Sequence, residues 1–185
     1  MKKLIIAVLS VLVLQSVQAQ DKYFTKTGRI SFDATAPKSP EDIVGVNKTV
    51  TCVLDTKTGN LQMAVLMKAF EFERALMQEH FNENYVESHK FPKTEFRGAI
   101  VPGTSVNYAK DGVYPVQVKG KLTMHGQTKD VTAEGKLTVK AGRLQVQSVF
   151  TELLSDYAVA IPSLVADKVS KTVKITVDCS LDPLK

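Results

Sequence analysis

Two cysteines and three histidines are the residues of this sequence best suited to redox chemistry or metal binding. Cys52 and Cys179 lie far apart in the chain, and no histidine has a partner at the HxxxH or CxxC spacing that zinc sites use. We therefore expect no bound metal and no cofactor. The histidines are His80, His89 and His125.

The sequence also lacks the motifs of the common catalytic sites. There is no GxSxG turn, no HExxH helix and no glycine-rich phosphate loop before a helix. Glu79 and His80 are the only plausible acid and base for an enzyme acting on a bound lipid, but such a mixture is typical of a solvated helix face. We predict that the chain is not an enzyme and has no catalytic residue.

Each cysteine lies in phase with apolar residues of a candidate strand, so both side chains should face inward. Cys52 alternates with Val50 and Leu54, and Cys179 alternates with Val177. A disulfide is chemically possible in an exported protein, while a buried free cysteine packs well as a small hydrophobic residue. The sequence leaves both states open.

The elements that position these residues are β-strands, because apolar and polar residues alternate through most of the chain. About eight such segments occur between residues 23 and 181, with turn sequences between several of them. An open sheet of that size leaves two exposed edges, so we predict a mainly β protein, an eight-stranded antiparallel barrel, with a two-layer sandwich as the alternative. The first strand should place Phe24, Ile30 and Phe32 inside and kink at Gly28.

One segment has helical rather than strand spacing. Leu76, Met77 and Phe81 recur at intervals that suit one face of a helix over residues 73–81, so we predict a short helix lying as a lid across one end of the barrel. Inward positions of the strands and of this lid should line the interior. The residues predicted to line it are Phe32, Met63, Met67, Leu76, Phe96, Val118, Leu122 and Phe150.

Small inward residues raise the question of whether the interior is full. Gly98, Gly120, Ala133 and Gly135 fall on inner faces, where they either leave space for a ligand or relieve strand curvature. A large residue at Gly120 should be destabilising if the interior is packed, and should be tolerated with loss of ligand if the interior is open. The inward methionines suit an adaptable cavity and a packed core equally well.

The N-terminus has the pattern of a secretory signal peptide. Lys2 and Lys3 precede an apolar run, residues 4–14, that is shorter than the roughly twenty residues needed to span a bilayer. We predict a cleaved signal peptide over residues 1–19, one domain over residues 20–185, a periplasmic or secreted location and no transmembrane segment. Cleavage lowers the formal charge from +5 to about +3, an excess too small to indicate a nucleic acid partner.

Two longer stretches carry a resemblance to a known family. Residues 80–98 read HFNENYVESHKFPKTEFRG, and residues 113–131 read VYPVQVKGKLTMHGQTKDV. The KFP.TEF.G strand start in the first, the V.GKLT..G.TK.V hairpin in the second and the stretch at residues 155–162 resemble the YceI-like family. This similarity covers nearly all of the mature chain, whereas the inward Cys52 and Cys179 depart from the family pattern.

The resemblance implies a lipocalin-like barrel that holds a long isoprenoid or another amphiphilic lipid in an apolar tunnel, in a periplasmic or secreted protein with no reaction common to the family. We therefore favour an exported carrier or sequestering protein whose partner is a long-chain isoprenoid or fatty amphiphile. The alternative is a ligand-free barrel with a filled interior, acting as a structural or partner-binding module in an envelope stress response. The identity of the ligand and the oligomeric state, monomer or homodimer, stay open.

Overall fold

The strands of this protein follow the alternation of its sequence and close into one barrel. The computed structural model describes residues 21–184. Its strands are β1 Lys22–Thr35, β2 Val44–Asp55, β3 Asn60–Leu66, β4 Lys93–Ile100, β5 Gly112–Met124, β6 Gln127–Lys140, β7 Arg143–Leu153 and β8 Val169–Pro183. Each strand pairs antiparallel with the next, and β8 pairs back with β1. The predicted eight-stranded barrel is confirmed, and the sandwich alternative is wrong.

The predicted signal peptide, residues 1–19, lies outside the described residues. Between residues 21 and 184, no helix has both the length and the apolar character needed to cross a membrane.

Two tight hairpins set the register of the most extensive strand pairing. The turn between β5 and β6 is His125-Gly126, with φ of 49° and 73°, and the turn between β6 and β7 is Ala141-Gly142, with φ of 49° and 74°. Two-residue turns with positive φ at both positions have a twist that matches that of antiparallel strands. The first turn aligns Met124 with Gln127, at the end of a pairing that runs the full length of β5. The second turn aligns Lys140 with Arg143.

A bulge in β1 changes which of its residues face inward. The pairing of β1 with β2 shifts between Thr25 and Gly28, and the two residues between them are both exposed. A bulge inserts an unpaired residue, so the alternation changes phase across it. Tyr23 is buried while Phe24 is only half-buried. The predicted irregularity at Gly28 is confirmed, and the prediction of an inward Phe24 is wrong.

One end of the barrel is filled by side chains, and we call this packed region the base. The loop at residues 101–111 lies across it, where Val106 and Tyr108 pack against the buried cluster. Close packing of this kind supplies much of the stability of a domain. The base consists of Val50, Cys52, Leu54, Leu137, Leu144, Cys179 and Leu181, each at most 1% exposed.

The two cysteines are free thiols inside the base. The sulfur of Cys179 lies over Gly28, at a point only 2.5 Å from where a Cβ on that residue would be. A hydrogen bond with Cys179, followed by burial, raises the pKa of the Cys52 thiol. Neither cysteine borders the barrel cavity described below.

Candidate ligand-binding cavity

Beyond the base, the interior of the barrel is hollow. A cavity of about 490 Å³ extends from the base toward the opposite end, which is within the range of roughly 300–1,000 Å³ found for small-molecule sites. Inward side chains of β1 and of β3 to β8 form its wall. Because the inward residues of these strands are mostly aliphatic or aromatic, the wall is predominantly apolar.

Three segments cross the open end of the barrel, and we call them together the cap: residues 36–43, 67–92 and 154–168. The cap contains the helix α1, Ala75–His80, which continues into one π-helical turn, Phe81–Tyr85. The predicted lid helix is therefore confirmed, with its regular α-helical part shorter than expected. The other turns of the cap are 3₁₀ helices at Met67–Ala69, Leu154–Tyr157 and Ser163–Val165.

An aromatic cluster fixes α1 to the barrel. The ring of Phe81 stacks on Phe32 of β1 with 5.3 Å between centroids, and its centroid lies 5.4 Å from that of Phe70 and 5.0 Å from that of Phe72. Aromatic pairs at these separations add to the free energy gained from burial alone. All four rings also border the cavity, so the cluster both packs the lid and forms part of the wall.

The structure brings the eight residues predicted to line the interior together on one cavity wall. Leu76, on α1, is 60% exposed and therefore lies at the rim rather than deep inside. Contact between these residues and a ligand stays a prediction. The eight are Phe32, Met63, Met67, Leu76, Phe96, Val118, Leu122 and Phe150.

Gly98 and Gly120 do not enlarge the cavity. They face one another across the β4–β5 pair, and the ring of Phe96 covers both. A Cβ at Gly120 would lie 2.5 Å from the carbonyl oxygen of Arg97 and 2.7 Å from the Phe96 ring. These glycines permit close approach of the strands, and the contacts at Gly120 are those of the packed alternative, in which a large residue is destabilising. The small cavity-wall residues among the four are those of β6, Ala133 and Gly135.

Few charged side chains border the cavity, and most of them lie at its rim. Arg74 forms an ion pair with Glu41 at 2.9 Å, which joins the start of α1 to the 36–43 segment of the cap. His80 borders the cavity but Glu79 does not, so only one of the two residues of the enzymatic alternative lies on the cavity wall. Within residues 21–184, no three His, Cys, Asp or Glu side chains are grouped to hold a metal ion.

Glu152 is a half-buried charged residue of the wall that the sequence interpretation missed. It lies on β7, borders the cavity and is half-buried. The hydroxyl of Tyr157, a fully buried residue of the cap, donates a hydrogen bond to its Oε2 at 3.1 Å. Burial raises the pKa of the Glu152 carboxyl. Glu152 lies two residues after Phe150 on β7 and faces the same way. A charged residue at an inward position was therefore the sequence feature that could have identified it.

His125 joins three parts of the cap end of the barrel. Its Nδ1 lies 3.0 Å from the carbonyl oxygen of Tyr157, and its Nε2 lies 3.1 Å from a carboxylate oxygen of Glu87. Both partners are acceptors, so only the doubly protonated imidazole can donate to both. The edge of the Phe91 ring packs against the imidazole with 4.6 Å between centroids. The β5–β6 turn is thereby tied to two cap segments.

Replacing His125 with asparagine is expected to loosen the cap without unfolding the barrel. Asparagine tolerates the positive φ of this position but cannot reach both acceptors, and each lost hydrogen bond should cost about 1 kcal/mol locally. Hydrogen exchange should therefore quicken in residues 82–92 and 154–159. The exposed His89, changed to asparagine, is the matched control, and equal exchange in the two variants would contradict this role.

Acid should weaken the hydrogen bond between His125 and Glu87. A hydrogen bond from Lys90 first, and one from His125 second, hold the pKa of Glu87 below its ordinary value of 4.5. A carboxyl whose pKa is lowered by folding contributes its stabilisation above the ordinary value and loses it as the pH falls through the lowered one. The added exchange in His125→Asn should therefore shrink at a pH below that lowered value.

A closed antiparallel barrel that surrounds an apolar cavity defines a lipocalin-like barrel. The sequence profile of the YceI-like domain matches residues 13–181, and the chain therefore belongs to the YceI-like domain family. No curated protein is detectably similar to it in sequence.

Solved structures with the same fold are only distantly related in sequence. A polyisoprenoid binding domain from Saccharophagus degradans, implicated in plant cell wall breakdown, is 13% identical, with a TM-score of 0.74 over 89% of this chain and 99% of that one. BcnA of Burkholderia cenocepacia is 17% identical, with a TM-score of 0.67 over 83% and 95% of the two chains. A YceI protein of Campylobacter jejuni is 14% identical, with a TM-score of 0.59 over 76% and 85%. At these identities, the similarity establishes the fold.

Proposed function

We propose that this protein binds a long-chain isoprenoid or another apolar amphiphile inside its barrel and serves as an exported carrier or sequestering protein. The observation that carries the proposal is the apolar cavity of about 490 Å³ between the base and the cap. The polyisoprenoid binding domain from Saccharophagus degradans, which has the same fold, supports the choice of ligand class.

Burial of the hydrocarbon tail would supply the affinity. Each methylene group removed from water contributes about 0.8 kcal/mol, so a chain that places several methylenes in the cavity binds without a charged anchor. Methionines suit such a ligand, because a flexible thioether adapts to chains of different shape. Met63, Met67, Met77 and Met124 all border the cavity.

The ligand-free alternative required a filled interior. A void of this size with an apolar wall is costly to leave empty, because its lining atoms lack contacts on one side. Occupation by an apolar molecule offsets that cost, whereas a purely structural barrel would gain by filling the space with its own side chains. The cavity therefore favours the binding function over the structural one.

Native mass spectrometry of the protein purified without detergent from its own cells tests the proposal. We expect a population heavier than the polypeptide by the mass of one apolar molecule, which organic extraction should release and a prenyl or acyl probe should restore. The polypeptide mass should also correspond to a chain that begins at Gln20. Repeated isolation of the bare polypeptide with no uptake of either probe would rule out the carrier function.

A further inference from the structure

Most polar groups on the cavity wall already have partners or face solvent at the rim. Arg74 is paired with Glu41 and is 67% exposed, while His80 and Lys168 are exposed. Glu152 differs from these groups because it is half-buried among apolar neighbours. The carboxyl lies near the end of β7, directly across from Val173 of β8, so it marks the level at which the cavity meets the cap.

The carboxyl of Glu152 is held in place from one side. Within residues 21–184, its side chain receives one hydrogen bond, from the Tyr157 hydroxyl to Oε2, and forms no ion pair. Tyr157 is itself fixed, because it is fully buried and its carbonyl oxygen lies 3.0 Å from His125 Nδ1. The second carboxyl oxygen, Oε1, therefore has acceptor capacity left for a molecule in the cavity.

We propose that Glu152, positioned by Tyr157, accepts a hydrogen bond from the head group of the bound amphiphile and selects an uncharged hydroxyl head over a phosphate or carboxylate. This inference rests on the proposed function and adds the chemistry of the head group to it. A phosphate beside the carboxylate would bring two negative charges together at a half-buried position, where solvent screens them less than in bulk water. A hydroxyl donates one hydrogen bond and carries no charge.

The position of Glu152 also accounts for a tail-down orientation. The wall between Glu152 and the base is formed mainly by aliphatic and aromatic side chains, including Phe150, Val118 and Val146. A head anchored at Glu152 leaves the whole of that wall for the tail. Burial raises the pKa of the Glu152 carboxyl, the hydrogen bond from Tyr157 opposes this shift, and the charge of the nearby Asp156 adds to it.

Displacement of Nile red from the full-length mature protein at neutral pH tests the inference with three ligands that share one tail. Phytanol, phytanyl monophosphate and phytane, which have the same saturated isoprenoid tail, supply a hydroxyl head, an anionic head and no head. The wild type should bind the alcohol roughly tenfold or more tighter than the monophosphate. In Glu152→Gln this ratio should fall by about tenfold, because the repulsion is removed, while the affinity for phytane should not change.

Glu134→Gln is the matched control, because it makes the same substitution at an exposed position on β6 and should leave the ratio as in the wild type. Equal or tighter binding of the monophosphate by the wild type, or an unchanged ratio in Glu152→Gln, would overturn the role of Glu152 while leaving the proposed function intact. Failure of all three ligands, phytane included, would overturn the proposed function and this inference with it.

Discussion

Replacing Ala133 with phenylalanine is expected to weaken binding of a long apolar ligand about 100-fold while the barrel stays folded. Ala133 borders the cavity in the middle of β6, directly across from Val118 of β5. A phenyl ring at this position extends into the space that we assign to the tail. If it displaces about four methylenes, the loss is about 3 kcal/mol, or about 100-fold in affinity.

The fold should tolerate this change because the ring enters a void rather than a packed core. Overpacking of a filled core costs about 1–3 kcal/mol, so we expect a smaller effect on the free energy of unfolding here. Nile red displacement measures the affinity, and urea denaturation measures the stability. Ala64→Phe, which adds the same ring to an outward position of β3, should change neither. Full affinity in Ala133→Phe would place the ligand outside the barrel.

Replacing Leu54 with alanine is expected to have the opposite pattern, a large loss of stability with little direct effect on the site. Leu54 is 0% exposed in the base and does not border the cavity. Buried leucine-to-alanine changes cost about 3–5 kcal/mol when neighbours cannot collapse into the space. For a domain of this size, each kcal/mol lowers the melting temperature by about 2–4 °C, so we expect a decrease of about 10 °C.

Leu76→Ala is the control for this second prediction. Leu76 is 60% exposed on α1, so its loss should change the stability by less than about 0.5 kcal/mol. Calorimetry of the two variants, with ligand removed beforehand, separates the base from the cap. A small effect of Leu54→Ala would show that the base is not the stabilising core of the barrel.

Much of the barrel was predictable because strand alternation reports directly which face is buried. The pairs Val116 and Val118 on β5, and Val131 and Ala133 on β6, show this pattern, and all four border the cavity. The phase error at Phe24 arose because a bulge inserts a residue without a distinctive sequence signal other than Gly28. Local periodicity cannot register such an insertion.

The glycines illustrate a different limit of sequence interpretation. Gly98 and Gly135 have the same inward parity, yet one is covered by Phe96 and the other borders the cavity. The difference depends on a ring contributed two residues earlier in the same strand and on its rotamer, which the alternation does not specify. Glu152 was overlooked for a related reason, since its role depends on Tyr157, a residue of an irregular segment.

Within residues 21–184, side chains fill the base, so we take the cap end as the way into the cavity. A long chain that enters and leaves by the same opening comes out with the end that entered last. For an amphiphile stored with its tail toward Leu61 and Val177, which border the cavity near the base, the head is what any receiving membrane or enzyme meets first. Under the proposed carrier function, delivery would therefore be polar end first, and a recipient could recognise the head group before the hydrocarbon is exposed to water.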